Sequence, residues 1–109
     1  MTRPTRELRE RDIEKHLVAR VKELRGEVRK VKWLGRKGAP DRIVMLPERN
    51  NPLDGSGCGR ISAECFWVEL KAPGEKPEPH QLREHKRLRK MGQRVFVVDS
   101  IEGVERLFF

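Results

Sequence analysis

The chain has 109 residues, of which 36% are hydrophobic and 39% charged. That length supports a single domain over 1–109 and excludes two complete domains in one copy. So little apolar surface makes a small core, and a homodimer is one way to hide more of it. Lys and Arg number 25 against 17 Asp and Glu, a formal charge of +8, so the long-range field favours a polyanion and nucleic acid is the expected partner class.

The longest apolar runs, such as Val95 to Val98, fall far short of the ~20 residues that cross a bilayer. Met1-Thr2-Arg3-Pro4 leads straight into alternating charges, without the apolar middle of a secretory signal. No membrane partner and a cytoplasmic location are therefore expected. Six residues separate Cys58 from Cys65, a wider spacing than zinc ligands usually have, and together with His80 and His85 they are read as ordinary side chains.

Between Thr5 and about Arg25, the residues Ile13, Leu17, Val18, Val21 and Leu24 recur at helical spacing, with Thr5 as the N-cap and Gly26 as the stop. The same spacing turns Glu14 inward, where a carboxylate needs a partner unless it lies at the stripe's edge and reaches water. Glu10 shares roughly that face. From Val28 to Leu34, Val31 and Trp33 alternate with Lys30 and Lys32, the period of a strand with one wet face. Gly35 to Pro40 supplies turn chemistry into the run Ile43 to Leu46, so a hairpin is expected. Residues 47–60, rich in Pro, Gly and Asn, read as a mobile loop.

Cys65 to Lys71 is a third strand, ended by Pro73 and Gly74. A helix follows from Pro79 to Met91, closed by Gly92, with Gln81, His85 and Leu88 on one inward stripe and Leu82 beside them. Arg94 to Val98 is a fourth strand, and Asp99 or Ser100 caps a last helix through Leu107.

Glu69 and Lys71 are two apart in a strand, so they share a face, with Cα atoms ~6.6 Å apart at ~3.3 Å per residue. Asp41 opens the second strand directly after Pro40. If the second and third strands are neighbours, Asp41 and Glu69 meet at one end of the sheet, where two carboxylates repel unless a proton or a cation joins them. Oxygen-only ligation favours Mg²⁺ or Mn²⁺. Such a site suits phosphodiester hydrolysis, with Lys71 a mobile positive charge beside the water. Taken singly, a Glu-x-Lys pair is an ordinary wet strand face and Pro-Asp an ordinary turn.

In combination and in this order, Glu14, Gly38-Ala39-Pro40-Asp41, Glu69-Leu70-Lys71 and Gln81 resemble the VRR-NUC domain of the PD-(D/E)xK nuclease superfamily, in its small stand-alone phage form. The resemblance runs from the first helix through the fourth strand. It implies an α/β, restriction-endonuclease-like αβββαβ core, a mixed central sheet flanked by helices. It also implies that Asp41 and Glu69 ligate the metal directly, that Glu14 is a ligand, directly or through water, and that the Leu70 carbonyl is another. Lys71 becomes the catalytic lysine, and Gln81 supports the site or contacts the substrate. His85 has no firm family role and is read either as a residue supporting the metal ligands from behind or as packing.

Two basic blocks flank the acidic residues: Arg29, Lys30, Lys32, Arg36, Lys37 and Arg42 around the hairpin, and Arg83, Lys86, Arg87, Arg89, Lys90 and Arg94 along or after the second long helix. With two Trp, four Phe and no Tyr, the chain is poor in stacking surface, and shape recognition of duplex or branched DNA fits better than single-strand binding. Trp33 stacks on a distorted base or, as is commoner, joins the core. Leu107-Phe108-Phe109 either forms a dimer surface or docks on its own sheet. The expected activity is a Mg²⁺- or Mn²⁺-dependent, structure-selective DNA endonuclease, resolving four-way (Holliday) junctions as a homodimer with no small-molecule cofactor. The competing readings are a nicking or restriction-type nuclease on duplex or flap DNA, and a non-catalytic basic DNA-binding module.

Overall fold

The computed structural model describes residues 8–50 and 59–108. Helix α1 spans Glu10–Glu23, and Asp12 in its first turn accepts the backbone N–H of Arg9 at 2.8 Å. The helix thus starts on its own acidic first turn; Thr5, expected as the cap, lies outside the described residues. Ile13, Leu17 and Val21 are buried, whereas Val18, expected among them, is 44% exposed. The stripe is narrower than the spacing suggested.

Gly26 does not end α1 by adopting a left-handed conformation. Arg25 takes that conformation instead, at φ 63°. A Cβ on Gly26 would stand 2.4 Å from the Met45 carbonyl oxygen, so the glycine is required for close passage of the chain against the sheet.

Strand β1 (Glu27–Lys30) pairs antiparallel with β2 (Arg42–Leu46), the expected hairpin. It is shorter than its alternation predicts: one further ladder bond, Val31 N–H to the Asp41 carbonyl at 2.8 Å, closes it. Beyond it Trp33 leaves the ladder and turns back to the hairpin loop, donating its indole N–H to the Pro40 carbonyl at 2.7 Å. In the stretch read as a loop, β3 (Arg49–Asn50) and β4 (Arg60–Ile61) form a second, two-stranded sheet around residues 51–58, which lie outside the described residues with Cys58.

Strand β5 (Glu64–Leu70) pairs antiparallel with β2, and after helix α2 (Pro79–Lys90) the chain returns as β6 (Val95–Val98), parallel to β5. Helix α3 (Ile101–Arg106) follows, and the Ser100 hydroxyl accepts the Gly103 N–H at 2.9 Å as its N-cap. The main sheet is mixed, in the order β1-β2-β5-β6. Helix, three main-sheet strands, helix, strand is the order expected from the chain.

Strand alternation divides the sheet's faces. Val44, Leu46, Phe66, Val68, Leu70 and Val98 face α1 and α3 and form the core with Ile13, Leu17, Val21 and Val104. Phe108, 4% exposed, belongs to that core with Leu107 packed on it. Leu107 and Phe108 therefore dock on their own domain; Phe109 lies outside the described residues. Helix α2 covers the opposite face, burying Glu84, His85 and Leu88. Leu82, expected on that stripe, is 52% exposed, because the helix is rotated to bring His85 over the sheet. No helix among the described residues is long and apolar enough to cross a membrane.

Candidate active site

The register sets the site. Arg42 pairs with Val68 across β2 and β5, so one step further places Asp41 opposite Glu69 at the end of the ladder, with Lys71 two residues on. Two devices hold the approach to Asp41. Gly38, at φ +83°, passes so close to α2 that a Cβ there would lie 2.9 Å from His80 Cδ2 and 3.0 Å from the Gln81 Cα. Arg36, in the same loop, has Nη1 3.9 Å from Glu84 Oε2 on α2. The glycine thus seats the hairpin loop on the first turn of the helix, and the long ion pair is a looser tie beside it.

Glu69 is 8% and Lys71 9% exposed. Burial pushes the Glu69 carboxyl up to about 7; Lys71 eases that shift, while Asp41 and Glu10 add to it. Behind Glu69, His85 is wholly buried with Nε2 3.3 Å from Oε1 of the carboxylate. Burial first, then Arg89 and Lys71, lowers the His85 pKa, so the ring is neutral near pH 7. When Glu69 is ionised, the neutral ring must donate from Nε2. Its Nδ1, buried and without a hydrogen-bond partner, is then the lone-pair nitrogen.

Arg42 is not on the outer surface with the other hairpin cations. It is 9% exposed, with Nη2 3.1 Å and Nε 3.3 Å from Glu14 Oε1, and Nη1 2.8 Å from Asp41 Oδ2. Nη1 meets Asp41 as an ion pair. Burial works against the charge on Arg42, but Asp41 and Glu14 more than offset it and raise its pKa. The DNA-contacting role expected for Arg42 therefore does not fit its position. In strand β2 its side chain alternates to the face turned to α1, where Glu14 awaits it.

The sequence-derived residues fall into two groups. Asp41, Glu69 and Lys71 converge, with Glu10 close enough to influence Glu69. Glu14 faces the same end of the sheet but is held by Arg42. Gln81 sits at the edge: its side-chain oxygen accepts the Glu78 N–H at 2.8 Å, closing the first turn of α2. Among the described residues no three His, Cys, Asp or Glu side chains are gathered as a metal-holding group. Mg²⁺ does not need three, since it retains waters and binds through one or two carboxylates plus phosphate. Asp41 and Glu69 fit that requirement: Glu69 is buried with Asp41 across the ladder, and two such carboxylates repel unless a proton or a cation joins them.

Of the flanking cations, Lys30, Lys32, Arg36, Lys37, Arg83, Lys86, Arg87 and Lys90 are exposed. Arg89, also exposed, donates from Nη2 to the Val95 carbonyl at 2.6 Å and ties α2 to β6. Cys65 is exposed and unpaired and His80 is exposed, away from His85. The sequence left His85 open between supporting a ligand and packing, and it placed Arg42 with the outward cations, whereas the structure sets His85 against Glu69 and buries Arg42. The signal for the first was its place four residues after Gln81 on a polar-interrupted inward stripe. For the second it was the even position in β2, shared with Val44 and Leu46.

No family model matches the chain. It is 47% identical over 93 residues to "Putative nuclease p44" of Acyrthosiphon pisum secondary endosymbiont phage 1, covering 85% of each chain. A solved structure described as a VRR_NUC domain is 40% identical, superposes with a TM-score of 0.69, and shares 90% of this chain and 91% of its own.

Proposed function

Since the chain belongs to the VRR-NUC family of nucleases, we propose that it is a Mg²⁺- or Mn²⁺-dependent, structure-selective DNA endonuclease. The observation that carries this reading is the register placing Asp41 opposite Glu69, with Lys71 on the same face two residues on. Asp41, Glu69 and the Leu70 carbonyl would hold the cation, and Glu14 would join from α1 through water or after release from Arg42. The chemistry the cation supplies is acidification of water and neutralisation of phosphate charge.

The chain's own groups do the rest. Lys71, buried to 9% exposure, keeps its ammonium beside the carboxylates, where it orients the attacking water and offsets charge growing on the phosphate. His85 holds the Glu69 carboxylate in one orientation. The hairpin loop and α2 carry exposed cations on either side of the site, and neutralised phosphates there supply affinity.

The proposed substrate is branched DNA, with the four-way junction first, cut by a homodimer that presents two sites to a symmetric target. A bacterial host cytoplasm is the proposed location, in keeping with the phage relative. The test is cleavage of labelled four-way junction, flap and plain duplex at matched salt, with and without Mg²⁺ or Mn²⁺, beside Asp41→Ala. Light scattering during size exclusion gives the oligomeric state. Metal-dependent junction cleavage that Asp41→Ala lacks is the expected result. Metal-independent binding without any cutting would leave a DNA-binding module.

A further inference from the structure

Beside Asp41 lies an open groove of about 530 Å³, lined by Lys30, Lys32, Trp33 and Arg36 among others. Trp33 is neither a core residue nor a loose surface one. Its indole N–H is donated to the Pro40 carbonyl at 2.7 Å, and its ring lies 4.9 Å from that of Trp67, tilted by 49°. The indole is thus fixed from two directions while it also lines the groove. Lys30 and Lys32 form no ion pair among the described residues, and the Arg36 contact with Glu84 is a long 3.9 Å. Two cations are uncommitted and a third is loosely held, all around one rigid aromatic ring.

We infer that this groove receives a single unpaired nucleotide of the DNA strand, its base against Trp33 and its flanking phosphates on Lys30, Lys32 and Arg36. A base inside an intact duplex has both faces stacked on neighbours and cannot offer one to the indole. An unpaired base can, at the cost only of its own ordering. The volume falls within the ~300–1,000 Å³ typical of sites for one small organic group. A single ring accommodates one nucleotide, consistent with a chain poor in aromatic residues. Because Asp41 is among the residues lining the groove, the bound nucleotide lies next to the phosphate to be cut. This rests on the nuclease reading for its purpose and on the groove alone for its binding; it names what distinguishes a branched or frayed substrate from plain duplex.

The test uses Trp67→Phe protein, in which Trp33 is the sole tryptophan, in EDTA so that nothing is cut. Emission is followed during titration with a short single-stranded oligonucleotide and with a perfect duplex of the same sequence. The single strand is expected to quench Trp33 strongly and the duplex weakly. In the wild-type background, Trp33→Leu is expected to weaken single-strand binding roughly tenfold, Trp33→Phe to restore most of it, and neither to change duplex binding more than about twofold. Lys32→Glu, at an exposed position, repeats the test without touching the packing and is expected to weaken single-strand binding more than duplex binding. Equal quenching by both DNAs, or a Lys32→Glu protein with unchanged single-strand binding, overturns the inference. Quenching without metal-dependent cleavage by wild type removes the nuclease reading and leaves the groove. Cleavage with no selective quenching does the reverse.

Discussion

His85 Nε2 stands 3.3 Å from Oε1 of Glu69, in a position with no exposure to solvent. A neutral imidazole donating to a buried carboxylate fixes the direction of the carboxylate's other oxygen, and residues behind a metal ligand typically change metal affinity by ~10–100-fold when removed. His85→Ala is therefore expected to weaken Mn²⁺ binding by about that factor in calorimetric titration and to lower stability by ~1–3 kcal/mol through the cavity. Unchanged Mn²⁺ affinity in a folded variant would show that His85 is packing alone.

The Glu69 carboxyl, pushed up to about 7, makes metal-free stability depend on pH. Between the unfolded value near 4.5 and about 7, the folded state binds the proton and the unfolded state does not. Glu69 therefore contributes a loss of stability as pH rises through that window, on the order of 3 kcal/mol at most. His85 has the opposite sign, because its lowered pKa leaves the unfolded state with more protons below about 6.5. The quantity to measure is the difference between wild type and Glu69→Gln in urea denaturation at pH 5 and pH 8 with EDTA. Wild type is expected to lose ground to the variant at the higher pH.

Asp41→Ala, Glu69→Ala and Lys71→Ala are each expected to abolish cleavage while leaving folding and DNA binding largely intact. Circular dichroism, a gel-shift titration in EDTA and a junction cleavage assay read the three properties separately. Full activity from cleanly purified Glu69→Ala protein would falsify the active site as drawn.

Arg42 holds Glu14 and Asp41 together without facing solvent. Arg42→Met is expected to leave two carboxylates without their shared cation and to lower stability by ~1–2 kcal/mol, less than for a fully buried pair, since Glu14 and Asp41 are 38% and 48% exposed. The salt dependence of DNA binding should be unchanged. A flatter salt slope in this variant would return Arg42 to the DNA-contacting surface.

Removing charge from the exposed face of α2, as in Lys86→Ala with Arg87→Ala and Lys90→Ala, is expected to weaken DNA binding and to flatten its salt dependence by ~0.9 for each phosphate no longer neutralised. Log affinity against log salt concentration for junction DNA gives this slope. A steep slope retained by the triple variant would place the DNA elsewhere.

The element order was legible from periodicity and punctuation because helices and strands are local. Val44 to Leu46, Phe66 to Leu70 and Val95 to Val98 carry enough apolar or alternating pattern to declare themselves. Element ends were less legible. Trp33 leaves β1 because Pro40 offers its indole a hydrogen-bond acceptor, and residues 49–50 and 60–61 pair across a stretch whose composition alone reads as loop.

The chain by itself determined the chemistry on offer: hard-oxygen donors, one lysine two residues past a glutamate, and an excess of positive charge. Tertiary structure alone decided how those groups are shared out. Glu14 could be read as reaching water or as a metal ligand until β2 brought Arg42 beneath it. His85 was one polar side chain on a helix until α2 turned it onto Glu69. Such assignments depend on distances between residues far apart in sequence, which sheet register and helix rotation set and no local pattern encodes.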